Sequence, residues 1–359
     1  MRIKVAFLDD DKNYLQRLSS VLSAKFADKL EIYSFSNSDM VVSEIMKNKI
    51  DVLIASENFD INADSLPGNC GFAYLVAVSG VDMIKGQKAI CRFQKAEIIF
   101  KEILAIYSEN VSDSISIKFE GDGKASVISF FSASGGTGAS TAAAACAKRI
   151  ARAGKKVLYL NLEQFGNTEH FFHGDGQFDL SNVIFALKSK KSSSVLKMAS
   201  YVKEDASGVC FYSSPMMALD VIELTKDDVS ELISTIKMMN TYEFVVVDAD
   251  FSFSPVPLKL LELSQCAVFV SDGTEIANDK FVRAYRSLEN YEQQKNKNLV
   301  GRIALLYNRF SSKSGKVLDE GNIKVLGGMH KIENASVDAI VDEMINGDYF
   351  NKIISKNLA

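Results

Sequence analysis

The chain has 359 residues, enough for about two domains at ~100 to 200 residues each. A charged share of 24% and a net charge of −4 spread along the chain exclude the concentrated basic face that general nucleic-acid binding requires. The five cysteines are scattered, odd in number and without CxxC spacing, which fits reduced cytoplasmic thiols better than disulfides or a zinc site.

Met1 to Leu8 is too short for a signal-peptide core and runs straight into Asp9, Asp10 and Asp11. No apolar run approaches the ~18 residues of a spanning helix. Ile3 to Leu8 reads as a strand. The three aspartates end it, and Leu15, Leu18 and Leu22 then recur at helical spacing. A solvated loop capping that helix is favoured for Asp9 to Asp11 over a metal site, since Asp is a preferred N-cap. Strands follow at 30–35, 51–56, 75–79 and 89–93, with helices at 40–47 and 96–107. Residues 57–72, with Pro67, Gly68 and Gly71, read as a loop. Five strands alternating with helices imply a doubly wound parallel sheet, with functional groups at the carboxyl ends of its strands. The Ser/Asp/Gly-mixed stretch 109–124 sets a boundary near 115, so the domains are 1–115 and 116–359. An extra edge strand at 115–119 is an option.

In the second domain, Val127 to Phe131 reads as a buried strand and Thr141 to Ala153 as a helix. Between them lies Ser132-Ala133-Ser134-Gly135-Gly136-Thr137-Gly138-Ala139-Ser140-Thr141, a phosphate cradle whose backbone N–H groups converge at a helix N-terminus. Ser140 stands where a P-loop places its Mg²⁺-binding hydroxyl, but Ala139 stands where that motif has lysine. Further strands are expected at 155–163, 209–212, 244–248, 267–270 and 303–307, with helices at 180–188, 193–200, 227–239 and 279–293. The apolar strand Phe244 to Val247 ends on Asp248, a Walker B arrangement once paired with the glycine loop. His170 and His173 have HxxH spacing with Asp175 nearby but no third imidazole or thiol close in sequence, so aromatic packing with Phe171 and Phe172 is preferred to a metal site. Lys188, Lys190 and Lys191 read as solvated surface. The apolar positions from Val337 to Ile354 are accompanied by more acids than lysines, which favours docking on the core over an anionic membrane.

The first domain resembles the receiver domain of response regulators: Asp9 and Asp10 match its acidic pair, Ser79 its hydroxyl residue and Lys95 its lysine. Its phosphoacceptor position is Ser56, which has no carboxylate nucleophile; Glu57 is the alternative acid. The second domain resembles the deviant Walker A ATPases of the ParA/MinD class, and the two-domain combination resembles TadZ/CpaE-type proteins of tight-adherence pilus systems. That resemblance implies ATP and Mg²⁺ as cofactors. Ser134 to Thr141 would bind the nucleotide, with Gly135, Gly136, Thr137, Gly138 and Ala139 as backbone donors and Thr141 on the α-phosphate. Ser140 and Asp248 would hold the metal. Glu163, in Asn161-Leu162-Glu163 where the class has Asp-x-Asp, would orient water, and Asn308 and Arg309 would face the adenine. Ser134 replaces the class's signature lysine.

The resemblance therefore implies a weak ATPase whose nucleotide holds a homodimer. A receiver-like docking module would bind other pilus components at the cell pole or the inner face of the membrane, reached only through partners. The alternatives are a partition ATPase that binds DNA and a response regulator with an unusual switch.

Overall fold

The computed structural model describes residues 2–38, 41–110, 124–189, 193–319 and 323–355. The edge strand considered at 115–119, the boundary at 115, Lys190 and Lys191 lie outside them. The chain forms two compact units, Met1–Phe119 with Ser189–Tyr201, and Glu120–Lys188 with Val202–Ala359. Both are α/β units built on mostly parallel sheets.

The first unit runs β1 (Ile3–Leu8), α1 (Lys12–Lys25), β2 (Leu30–Phe35), α2 (Val41–Asn48), β3 (Val52–Ser56), β4 (Gly71–Val76), β5 (Met83–Ile84), β6 (Gln87–Cys91) and α3 (Ala96–Asn110). Its strand order is β2-β1-β3-β4-β6-β5, parallel except for the β5–β6 hairpin. One face is covered by α1 and α3, where Leu15, Leu18, Leu22, Ile99 and Ile103 meet Val5, Phe7 and Ile54. The other is covered by α2, with Val41 and Ile45 on Leu53 and Tyr74, and by Phe59, Ile61 and Leu66 of the 57–70 loop.

Two expectations are corrected here. The fourth strand is Gly71–Val76, not 75–79, so Ser79 lies three residues beyond its end on an exposed turn. Gly71 looked like loop; it is a strand glycine because a Cβ there would stand 2.5 Å from Ile106 Cγ2 of α3. The sheet also has a sixth strand, because Lys85 and Gly86 both take positive φ in a two-residue turn and fold Met83–Ile84 back on β6.

The second unit contains β7 (Ser126–Phe131), α4 (Ala139–Arg152), β8 (Val157–Asn161) and α5 (Leu180–Lys188). Helix α6 (Ser194–Ser200) interrupts the sequence of this unit and packs on α3, with Leu196 in the first unit's core. The second unit continues with β9 (Lys203–Glu204), β10 (Cys210–Phe211), α7 (Leu219–Ile222), α8 (Lys226–Met238), β11 (Phe244–Asp248), α9 (Pro255–Leu263) and β12 (Cys266–Ser271). It ends with α10 (Glu275–Lys295), β13 (Ile303–Phe310), β14 (Lys324–His330), α11 (Val337–Asn346) and α12 (Asn351–Ile354).

The order β14-β13-β12-β7-β11-β8-β10-β9 is parallel apart from β9. Strand β7 is central, between β12 and β11, so the chain reverses direction across the sheet at its carboxyl end. Helix α4 fits beneath because Ala142 to Ala145 and Ala147 are all fully buried, and small side chains let it pack on two sides at once. Helix α11 covers its far side. Val341, Met344, Ile345, Phe350 and Ile353 share one core with the α4 alanines, and Arg149 and Arg152 donate to Asn351 and Asn346 at 3.1 and 3.0 Å. The C-terminal segment thus docks on its own unit.

Candidate functional site

The glycine loop connects β7 to α4 at the sheet's switch point. Its shape is held from below by Ser132, whose hydroxyl accepts from the Ser134 amide at 3.1 Å and the Thr137 hydroxyl at 2.9 Å and lies 2.9 Å from the Val270 carbonyl. Gly138 is the N-cap of α4 in the left-handed region at φ 85°, and a Cβ there would stand 2.3 Å from Asn308 Nδ2. None of the backbone N–H groups from Gly135 to Ala139 has an acceptor among the described residues. A row of unmet donors at the start of a 14-residue helix is an anion site in physical terms.

Strands β8, β11 and β13 bring the other expected residues to this edge. Ser140 Oγ donates to Glu163 Oε2 at 3.0 Å. The Asn161 side chain accepts from the Glu163 amide at 2.9 Å, which fixes the turn after β8. Asp248 is fully buried at the end of β11; its Oδ2 accepts from the Tyr159 hydroxyl at 2.8 Å, while its Oδ1 has no hydrogen-bond partner among the described residues. Asn308 is buried beneath the loop and donates to the Thr137 carbonyl at 2.8 Å. Arg309 is exposed, adopts φ 58° and donates to the Gly136 carbonyl at 2.9 Å. Thr141 is half-buried on the first turn of α4. Sequence reading overlooked Tyr159, although a tyrosine inside the aliphatic run Val157-Leu158-Tyr159-Leu160 is itself a signal, since a buried phenol seeks a partner.

Electrostatically the pocket is acidic. Burial drives the Asp248 carboxyl well above its ordinary value and Glu163's charge adds to this, against the Tyr159 and Ser140 hydroxyls. Glu163 is raised by burial and by Asp250, with the Ser140 hydrogen bond opposing. Two crowded acids, a hydroxyl and an orphaned buried carboxylate oxygen suit a hard divalent cation with oxygen ligands. Ser140 and Asp248 are the residues that would hold Mg²⁺.

The corresponding edge of the first unit is built differently. Asp11 caps α1, accepting from the amides of Asn13 and Tyr14. Asp9 is fully buried, accepts from the Asp11 amide at 2.9 Å and pairs with the Arg92 guanidinium at 3.2 Å; Arg92 also lies 3.8 Å from Asp11. The guanidinium stacks 4.3 Å over the Tyr14 ring, and the Tyr14 hydroxyl donates to the Arg92 carbonyl. Burial pushes the Asp9 carboxyl up while the Asp11 amide and Arg92 pull it down. Asp10 is exposed and accepts from Asn58 at 3.3 Å, Ser56 is buried, and Glu57 accepts from the Ala77 amide at 3.2 Å. Lys95 is exposed. Arg92 was missed because nothing local in the sequence ties it to Asp9.

At the HxxH site, His170 and His173 are exposed while Phe172 is buried against Tyr159 and Phe211, with centroids at 4.8 and 5.7 Å.

Residues 1–108 match the family model for the TadZ-like receiver domain. The second unit has the fold of a ParA-type P-loop ATPase. The ParA family ATPase from Chlorobium tepidum TLS superposes with a TM-score of 0.52 at 18% identity, over 66% of this chain and 99% of that one. The septum site-determining protein MinD from Pyrococcus horikoshii OT3, complexed with Mg-ADP, gives 0.49 at 16% identity, over 65% of this chain and 96% of that one. Such identities speak to fold alone. No curated protein matches the chain.

Proposed function

We propose that the chain is an ATP-binding localisation and assembly factor of a bacterial tight-adherence pilus system, in which bound ATP supports a homodimer and turnover is slow. The observation that carries this reading is one loop with two properties. It presents unmet amides from Gly135 to Ala139 beside Ser140 and the orphaned Asp248 oxygen, and it has no lysine at 134 or 139. Backbone donors and a cation suffice to hold a triphosphate. Fixed cations contribute more to the transition state, where losing an arginine-finger type of contact costs ~10³ to 10⁵ in rate.

In this reading the amides of Gly135 to Ala139 bind the phosphates, Thr141 contacts the α-phosphate, Ser140 and Asp248 hold Mg²⁺, and Glu163 orients water. Asn308 and Arg309 close the nucleotide end. Bound Mg²⁺ would neutralise phosphate charge that no lysine here neutralises. The TadZ-like receiver domain supports the pilus assignment. With serine at position 56 and Arg92 on Asp9, it serves as a docking surface for other pilus components. Among the described residues no helix is long and apolar enough to cross a membrane. Membrane or polar placement in this reading runs through partners.

Light scattering of the full chain with ATP, ADP or no nucleotide, in Mg²⁺, tests the reading. A mass that doubles with ATP alone is expected. Absence of ATP binding would refute it.

A further inference from the structure

The Tyr159–Asp248 pair does something the glycine loop does not require. Tyr159 lies mid-strand in β8, and Asp248 ends the neighbouring β11; the two strands are parallel and in register from Phe244–Val157 to Asp248–Asn161. Both side chains are fully buried, and the phenol donates to Asp248 Oδ2 at 2.8 Å. The ring is fixed independently of this bond, because it packs against Phe172, which in turn packs on Phe211. The hydroxyl is therefore aimed by the core and not by the carboxylate it meets. Asp248 Oδ1, by contrast, is buried without a hydrogen-bond partner among the described residues.

We infer that Tyr159 is a positioning and ion-selecting residue: it commits one oxygen of Asp248 to the protein, so that the carboxylate offers a cation Oδ1 alone. The inference rests on the nucleotide-binding reading. Its chemical content is a preference among cations. Ca²⁺ takes six to eight oxygens in flexible geometry and readily accepts a bidentate carboxylate, whereas Mg²⁺ keeps several waters and takes single oxygens at strict octahedral positions. A carboxylate whose Oδ2 already accepts the phenol proton favours the second kind of bond, because a bidentate cation would have to share that oxygen with the Tyr159 hydroxyl. The phenol also fixes the orientation of the carboxylate plane, as outer-shell partners of metal ligands do.

The test uses the full chain, a fluorescent ATP analogue and anisotropy, with Mg²⁺ or Ca²⁺ titrated at saturating protein and an EDTA control. Removing the hydroxyl in Tyr159→Phe should raise the Mg²⁺ concentration for half-maximal binding by about tenfold, the lower end for loss of an outer-shell partner. The Ca²⁺ requirement should move much less, so the Mg²⁺-over-Ca²⁺ preference shrinks, and metal-free nucleotide binding should stay as in the wild type. A Tyr159→Phe protein that is folded and shows unchanged Mg²⁺ and Ca²⁺ midpoints would overturn the inference, even with a lowered melting temperature, since it would make Tyr159 a packing residue only.

The double variant Tyr159→Phe/Asp248→Asn keeps the question open to experiment should the single variant not fold. Measured against Asp248→Asn, it should show no further change in cation preference, and a further drop in the Mg²⁺-over-Ca²⁺ preference of about tenfold would also overturn the inference. Wild type that binds no nucleotide with either ion refutes the nucleotide reading and this inference together, whereas wild type that binds normally isolates Tyr159.

Discussion

Each unit gathers carboxylates at the carboxyl edge of a parallel sheet, and the two gatherings end in opposite states. In the first, the buried Asp9 meets a guanidinium supplied by the chain itself, and Arg92 is held there by the Tyr14 ring as well as by the charges. In the second, among the described residues, Asp248 accepts from the Tyr159 hydroxyl and Glu163 from the Ser140 hydroxyl, and one Asp248 oxygen meets nothing. Burial raises the acid in both places; a fixed cation opposes it in one alone. A pocket that carries its own counter-charge has little use for a metal, while one that lacks it is built around an ion from solution. On the proposed function, the difference assigns the ligand chemistry to the second unit and a docking role to the first.

The largest expected effect comes from taking the internal cation away. Arg92→Ala leaves Asp9 buried and unpaired, and breaking a buried pair from one side costs about 3 to 5 kcal/mol. Hydrogen exchange of the full chain should show the loss in β1 and α1, with the second unit unchanged. Arg92→Lys should recover only part of it, because an ammonium keeps the charge but lacks the planar fork that stacks on Tyr14. Added Mg²⁺ should protect Arg92→Ala and have no effect on the first unit of the wild type. Equal protection of both would break the comparison, since the wild-type pocket would then already accept a metal.

Restoring the missing cations to the second pocket is the next step down. Ser134→Lys/Ala139→Lys should raise ATP hydrolysis by about a hundredfold, short of the ~10³ to 10⁵ of an arginine-finger contact. Ala139→Lys alone should raise it less. Phosphate release under single-turnover conditions measures the chemical step directly. Unchanged turnover in a variant that still binds ATP would mean that something other than missing charge limits the enzyme.

Much of this contrast was legible in the sequence. The glycine loop, Ser140, Glu163, Asp248, Asn308 and Arg309 all reach one edge, because a P-loop's local pattern dictates its own geometry and strand ends do the rest. What stayed hidden was long-range or locally disguised. Arg92 and Asp9 are 83 positions apart, and no spacing rule links them. Helix α9 carries Pro255 and Pro257, which read as breakers yet are tolerated in a first turn where the missing N–H groups have no intrahelical partner anyway. Strand β14 contains Gly327-Gly328 and lies only partly buried at the sheet edge, so its composition reads as loop. Helix α6 has the apolar spacing of a core helix, but nothing in Leu196 or Met198 says which unit's core it joins.

The smallest effect is the one with the sharpest sign. Because the folded values of Asp248 and Glu163 are raised above their unfolded ones, the stability they contribute is present at low pH and is lost as pH rises through the folded values. Without nucleotide, the second unit should therefore be relatively weakened at neutral pH by these two acids. Asp248→Asn removes the crowded charge while keeping an acceptor for the Tyr159 hydroxyl. It should stabilise the nucleotide-free chain at neutral pH by about 1 to 2 kcal/mol, within the range for relieving an unsatisfied buried polar group, and the gain should fade as pH falls. Thermal melts across pH, with and without Mg²⁺ and ATP, read both halves at once. The wild type should gain stability from the ligands and the variant should gain much less, so that the ranking of the two proteins reverses when ligand is added. A variant less stable than wild type at neutral pH without ligand would show that the hydroxyls of Tyr159 and Ser140 already compensate the buried charge, and the two pockets would then differ in the kind of counter-group and not in its absence.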